Sequence, residues 1–68
     1  MDPEKLNLSI RKFLKTAGVG SQREIEQAIA KHMASGKIAG EQTFAATMTL
    51  GIAGLQLEVR FDGEIELQ

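Results

Sequence analysis

The chain contains no cysteine, no tryptophan and no tyrosine, and only one histidine. Without cysteine there is no disulfide framework and no thiolate zinc site. One histidine excludes a two-histidine metal motif within one chain. Charge of one sign is not in excess either. Eight Lys and Arg stand against nine Asp and Glu, a formal net charge of −1, which argues against binding nucleic acid by bulk charge. The N-terminus has no apolar core of a signal peptide, and the longest uncharged stretch is interrupted by Gly and Thr. The expectation is a soluble, cytoplasmic protein that does not enter a membrane. With 68 residues, the chain reads as a single domain near the lower size limit for folding alone. Chains this small supplement a small core with disulfides, a metal or oligomerisation. Composition removes the first and gives little support to the second, which leaves oligomerisation, with a compact monomer as the alternative.

The first half has helical periodicity. Asp2 is a good N-cap, Pro3 suits the first helical position and Glu4 complements the helix dipole. Leu6, Ile10, Phe13, Leu14 and Ala17 then form one apolar stripe. Gly18 is read as a helix stop. Ser21-Gln22-Arg23-Glu24 reads as a capping box opening a second helix, whose apolar positions are Ile25, Ala28, Ile29 and Met33. Gly36 fits a second stop. The expectation is therefore two helices, about 3–17 and 22–35, joined by Gly18-Val19-Gly20 into a packed helical hairpin. Leu8 departs from the stripe and lies among Arg11, Lys12 and Lys15. It is either a lone exposed Leu, which needs no explanation, or a contact for a partner.

After Gly40 the period changes to two. Phe44, Ala46, Met48, Leu50 and Ile52 alternate with small and polar residues; then Leu55, Leu57, Val59 and Phe61 do so, and then Ile65 and Leu67. Three strands are expected, about 43–52, 55–61 and 64–68. A two-residue loop at Ala53-Gly54 pairs Ile52 with Leu55 and Leu50 with Leu57. A four-residue loop in the same register is the alternative, because Ala suits a type I′ turn poorly. Asp62-Gly63 resembles a two-residue turn, but such a turn would mix the two faces. A three-residue loop there keeps them apart, in either of two registers. The fold class expected is α+β, with an N-terminal helical hairpin packed on a three-stranded antiparallel β-meander.

The residues offer little for chemistry. His32 falls on the apolar face of its helix and reads as a residue at the core rim. Catalysis would require it to meet Ser9, Ser21 or Ser35, and no spacing demands that. Glu58 and Glu66 could face each other across the last hairpin, on a solvated face. The other acidic residues are scattered, so no Mg²⁺ or Ca²⁺ site is expected. Gly18-Val19-Gly20 at a helix start invites an anion-site reading but lacks the other parts of a phosphate loop. No catalytic, metal or cofactor residue is assigned, and the chain is read as a non-enzyme.

Charge placement and one strand say more. Residues 1–40 hold seven basic and four acidic side chains, and residues 41–68 hold Arg60 against five acidic ones. A basic helical part thus precedes an acidic strand part. Two helices with a β wing would make a winged-helix-like nucleic-acid binder, with Arg11, Lys15, Ser21, Gln22 and Arg23 as its contacts. The missing third helix, the absence of stacking aromatics and the acidic wing count against it. The leading reading is self-association. No charge occurs between Gln42 and Leu57, so the first strand is an unguarded edge. Leu8, Thr43, Ala45, Thr47 and Thr49 are the candidate self-association residues of a homodimer. An unknown protein partner, or cover of the edge by residues 36–42, is the alternative.

Leu6-Asn7-Leu8-Ser9-Ile10-Arg11-Lys12-Phe13-Leu14-Lys15, Gly18-Val19-Gly20-Ser21-Gln22-Arg23-Glu24-Ile25-Glu26 and Ser35-Gly36-Lys37 resemble a family of short bacterial proteins of unknown function. The resemblance spans essentially the whole chain, and the helical segments carry its specificity. It implies a stand-alone small domain and supplies no functional residues.

Overall fold

The computed structural model describes residues 1–40 and 42–68; Glu41 lies outside the described residues. The chain divides into two units, Met1–Lys37 and Ile38–Gln68. The first is a single helix, α1, Pro3–Ala34. The second is a two-stranded antiparallel hairpin of β1, Thr43–Ile52, and β2, Leu57–Glu66. The class is α+β, but the expected helical hairpin and three-stranded meander are both corrected.

Both ends of α1 form as their residues dictate. The Asp2 carboxylate accepts the Glu4 and Lys5 N–H groups at 3.0 and 3.3 Å, and Pro3 occupies the first turn. At the other end Gly36 has φ +77°, a left-handed conformation that a residue without Cβ adopts at no steric cost. The Lys37 N–H donates to the His32 carbonyl at 2.9 Å and the Gly36 N–H to Met33 at 3.1 Å. This is a Schellman closure.

The middle of α1 differs from expectation. Gly18 and Gly20 have negative φ and lie inside the helix, so the link between two helices does not exist. A glycine costs a helix about 1 kcal/mol relative to Ala, too little to end a helix when the residues on both sides favour continuation. Ser21 and Glu24 sit mid-helix, where the backbone N–H groups already have partners, and the capping box has nothing to cap. The two apolar stripes now lie on one helix but not on one line: at about 100° per residue the second is centred about 90° round from the first, and Ala28 is the position they share. Leu6, Ala17 and Ala28 recur every eleven residues, as do Ile10, Ser21 and His32, a spacing close to the helical period.

The second unit corrects the strand half. Asp62 and Gly63 form no turn; Asp62 pairs with Thr47 and Gly63 with Ala46. The third expected strand is the far end of β2. Leu57, Val59, Phe61, Gly63 and Ile65 share one parity, which is what one uninterrupted strand requires. The loop between the strands has four residues. Ala53–Leu55 form a 3-10 turn, and Gln56 closes it at φ 52°, with its N–H donating to Ala53 at 3.1 Å. Ile52 therefore pairs with Leu57 rather than Leu55, a register shifted by two residues, with Leu55 at the exposed tip. The separation of faces survives the shift. Phe44–Ile65, Met48–Phe61, Leu50–Val59 and Ile52–Leu57 lie on the apolar face. Thr43–Glu66, Ala45–Glu64, Thr47–Asp62, Thr49–Arg60 and Gly51–Glu58 lie on the other.

Each unit is one layer thick, and no described residue is buried. Phe13 and Phe61 remain 52% and 59% exposed. An isolated two-stranded hairpin is marginal in water, and needs a further strand or a covering layer.

Three substitutions test this fold by urea denaturation followed by circular dichroism. Gly18→Ala should stabilise by about 1 kcal/mol, because its Cβ meets nothing and its φ is already helical; a left-handed stop there would give a loss. Gly36→Ala should cost about 1–2 kcal/mol. Gly63→Val should be neutral or stabilising within the ~1 kcal/mol span of strand preferences, whereas a turn at Asp62-Gly63 would make it strongly destabilising.

Candidate functional site

Backbone hydrogen bonds identify the most distinctive surface. In an antiparallel ladder, directly opposed residues alternate between pairs that exchange both bonds and pairs that exchange none. The Leu67 N–H donates to the Gln42 carbonyl at 3.2 Å, one step beyond the Thr43–Glu66 pair. The even positions of β1 therefore bond to β2. The odd positions, Thr43, Ala45, Thr47, Thr49 and Gly51, aim their N–H and C=O groups at the opposite edge. Among the described residues no strand pairs with that edge.

Nor do the described residues before β1 cover it through the backbone. Gly36 and Lys37 close onto α1, while Ala39 and Gln42 bond each other: the Ala39 N–H donates to Gln42 Oε1 at 2.7 Å and the Gln42 N–H to the Ala39 carbonyl at 3.4 Å. The alternative cover by residues 36–42 includes Glu41, which lies outside the described residues.

The two edges of the hairpin differ in chemistry. The β1 edge carries no charged side chain, no Pro and no bulge. The outward positions of β2 are Glu58, Arg60, Asp62, Glu64 and Glu66, so that edge is guarded by charge. Arg60 Nε lies 3.1 Å from Asp62 Oδ1, but both side chains are more than half exposed, and such a pair contributes little.

Thr43, Ala45, Thr47 and Thr49, four of the candidate self-association residues, share one edge. Leu8 is not among them; it lies in the helical unit, 64% exposed, on the side of α1 away from Leu6, Ile10, Phe13 and Leu14. What the sequence reading missed is Gly51, the fifth outward position, and the backbone alternation that turns the N–H and C=O groups of these residues outward. The charge-free run Gln42–Leu57 was the available signal.

The nucleic-acid set is divided by the single helix. At about 100° per residue, Arg11, Lys15 and Gln22 align, Arg23 lies about 100° further round, and Ser21 falls on the apolar side. Lys15 and Arg23 border a shallow open notch with Thr16, Val19 and Gly20, where Gly20 lacks a side chain. Gly18-Val19-Gly20 is mid-helix and cannot offer an anion free N–H groups.

The other chemical candidates are apart. His32 Nδ1 lies 2.7 Å from the Ala28 carbonyl; since a carbonyl only accepts, that nitrogen carries the hydrogen. Ser35 Oγ donates to the His32 carbonyl at 3.1 Å. Ser21 is about 16 Å from His32 along the helix, and Ser9 is further. Glu58 and Glu66, expected to face each other, lie on the same strand about 26 Å apart. No group of three or more His, Asp or Glu among the described residues could hold a metal ion. No helix of the described residues is long and apolar enough to cross a membrane.

The match of a family model to residues 1–68 decides kinship. The chain belongs to DUF6494, a family of unknown function. This agrees with the resemblance carried by the helical segments. No curated protein and no solved structure matches the chain. Membership in DUF6494 assigns no activity, and the outward edge of β1 remains the feature with the clearest physical consequence.

Proposed function

We propose that this protein is a non-enzymatic self-association module, in which the open edge of β1 pairs with β1 of a second copy. One observation carries the reading: a ten-residue edge without charge or Pro, on a sheet of only two strands. Unpaired N–H and C=O groups in such an edge are a template for another strand. A four-stranded sheet would supply the further strands that a hairpin lacks. It would also use the supplement that a small, cysteine-free chain needs.

The other readings lack comparable support. A nucleophile with a base is not assembled, because the single His and the side chains of Ser9, Ser21 and Ser35 are apart or engaged with carbonyls. The winged-helix reading rested on a turn before a second helix, and α1 runs through that turn.

Sedimentation equilibrium of the native chain at micromolar concentration should give a dimer, and a strict monomer would contradict the reading. Thr47→Pro removes an N–H aimed at the open edge, without touching the ladder to β2. It deletes one hydrogen bond from each copy, about 1 kcal/mol apiece, and should weaken association by about thirtyfold. Met48→Pro removes a bond to β2 instead, and should abolish the strand signal in circular dichroism.

A further inference from the structure

We infer that the paired edges adopt one register, with a two-fold axis through Thr47 that places Thr47 opposite its own copy. This rests on the self-association reading above and adds the geometry of the joint.

Three constraints select it. The first is direction. Two identical edges related by a closed two-fold axis pair antiparallel. The second is face parity. The apolar residues of β1 are even-numbered, so even must oppose even if the apolar faces of the two hairpins are to form one surface. An axis between residues would set Ala46 against Thr47 and mix the faces. The third is hydrogen-bond parity. The outward groups belong to odd positions, so odd residues must form the bonded pairs.

An axis on a residue satisfies these rules, and overlap decides which residue. With the axis at Thr47, Thr43 opposes Gly51, Ala45 opposes Thr49 and Thr47 opposes itself, so every outward position of β1 finds a partner. With the axis at Ala46 or Met48, one outward position at an end is left over, and axes further out lose more. The same register opposes Phe44 to Leu50 and Ala46 to Met48 on the apolar face.

Charge disfavours the other edge. A two-fold axis through Asp62 of β2 would set Asp62 against itself and Glu58 against Glu66, and only Arg60 against Glu64 with opposite sign. Like charges directly opposite are destabilising in a sheet. In the β1-paired sheet the two acidic rows occupy the outer strands, three strand spacings or about 14 Å apart. That exceeds the screening length of about 8 Å at physiological salt.

The cysteine-free chain allows a clean test by single-cysteine cross-linking of the full-length protein. Thr47→Cys, Ala45→Cys and Thr49→Cys are each oxidised alone and in pairs, and read on a non-reducing gel beside sedimentation equilibrium of the native chain. All three side chains lie on the polar, exposed face. Opposed Cα atoms in a bonded pair are about 5.5 Å apart, within disulfide reach. Thr47→Cys alone should form most of the covalent dimer. Ala45→Cys alone and Thr49→Cys alone should not, their own copies being about 13 Å away along the strand, but the two mixed should link. Linking of Thr47→Cys with Thr49→Cys, or of Thr49→Cys to itself, would overturn the register and keep the edge pairing. A native dimer with no link at any of these positions would overturn pairing through β1 altogether. A native chain that sediments as a monomer would overturn both.

Discussion

A β-strand has two edges, and in this protein β2 satisfies only one edge of β1. The organisation of the second unit follows from that. The even positions of β1 send their backbone groups to β2 and their side chains to the apolar face. The odd positions send their backbone groups outward, and their side chains are Thr, Ala and Gly. A soluble protein ordinarily blunts such an edge with Lys, Pro or a bulge; here charge guards only the β2 side. The asymmetry gives the hairpin one edge guarded by charge and one without a guard, so the pairing proposed above would stop at a finite pair rather than extend into an array.

The helical unit raises the same problem in another form. Its apolar positions run the length of a helix about 48 Å long, with Leu6, Ile10, Phe13 and Leu14 toward one end and Ile25, Ile29 and Met33 toward the other, the second group turned about 90° round from the first. A helix of this length gains most of its stability in proteins from burying such positions rather than from propensity. The caps at Asp2 and Gly36 define where it starts and ends, but they cannot bury them. Each unit taken by itself is a single layer, a helix or a two-stranded hairpin, and a single layer of either kind needs a further layer or strand to bury its apolar side.

Much of this was legible in the residues. Asp2-Pro3 and Gly36 mark the true ends of α1 because each has a local geometric requirement that nothing else in the chain contests. The unguarded strand 43–52 was legible because charge is a property of composition, independent of the partner strand. Two local motifs misled for the same reason. Gly18 with Ser21-x-x-Glu24, and Asp62-Gly63, have the residues of a stop, a start and a turn, yet in each case the longer period runs through them unchanged. The eleven-residue recurrence of Leu6, Ala17 and Ala28 spans the first, and the odd parity from Leu57 to Leu67 spans the second. Motifs worth about 1 kcal/mol yielded to a period supported over many residues. The backbone direction at Thr43, Ala45, Thr47, Thr49 and Gly51 was not legible, because it depends on the register with β2, and the register depends on a four-residue loop closed by left-handed Gln56.

Amide hydrogen exchange across β1, followed by NMR at high and low protein concentration, tests the central claim most directly. The even amides, Phe44 to Ile52, bond within one chain and should be protected whenever the hairpin is folded. The odd amides, Thr43 to Gly51, should be equally protected at concentrations where the protein is paired. They should lose protection first on dilution, while the outward amides of β2 exchange freely throughout. Odd amides of β1 that exchange freely at concentrations where the even ones are protected would contradict it, since no second strand would then occupy the open edge.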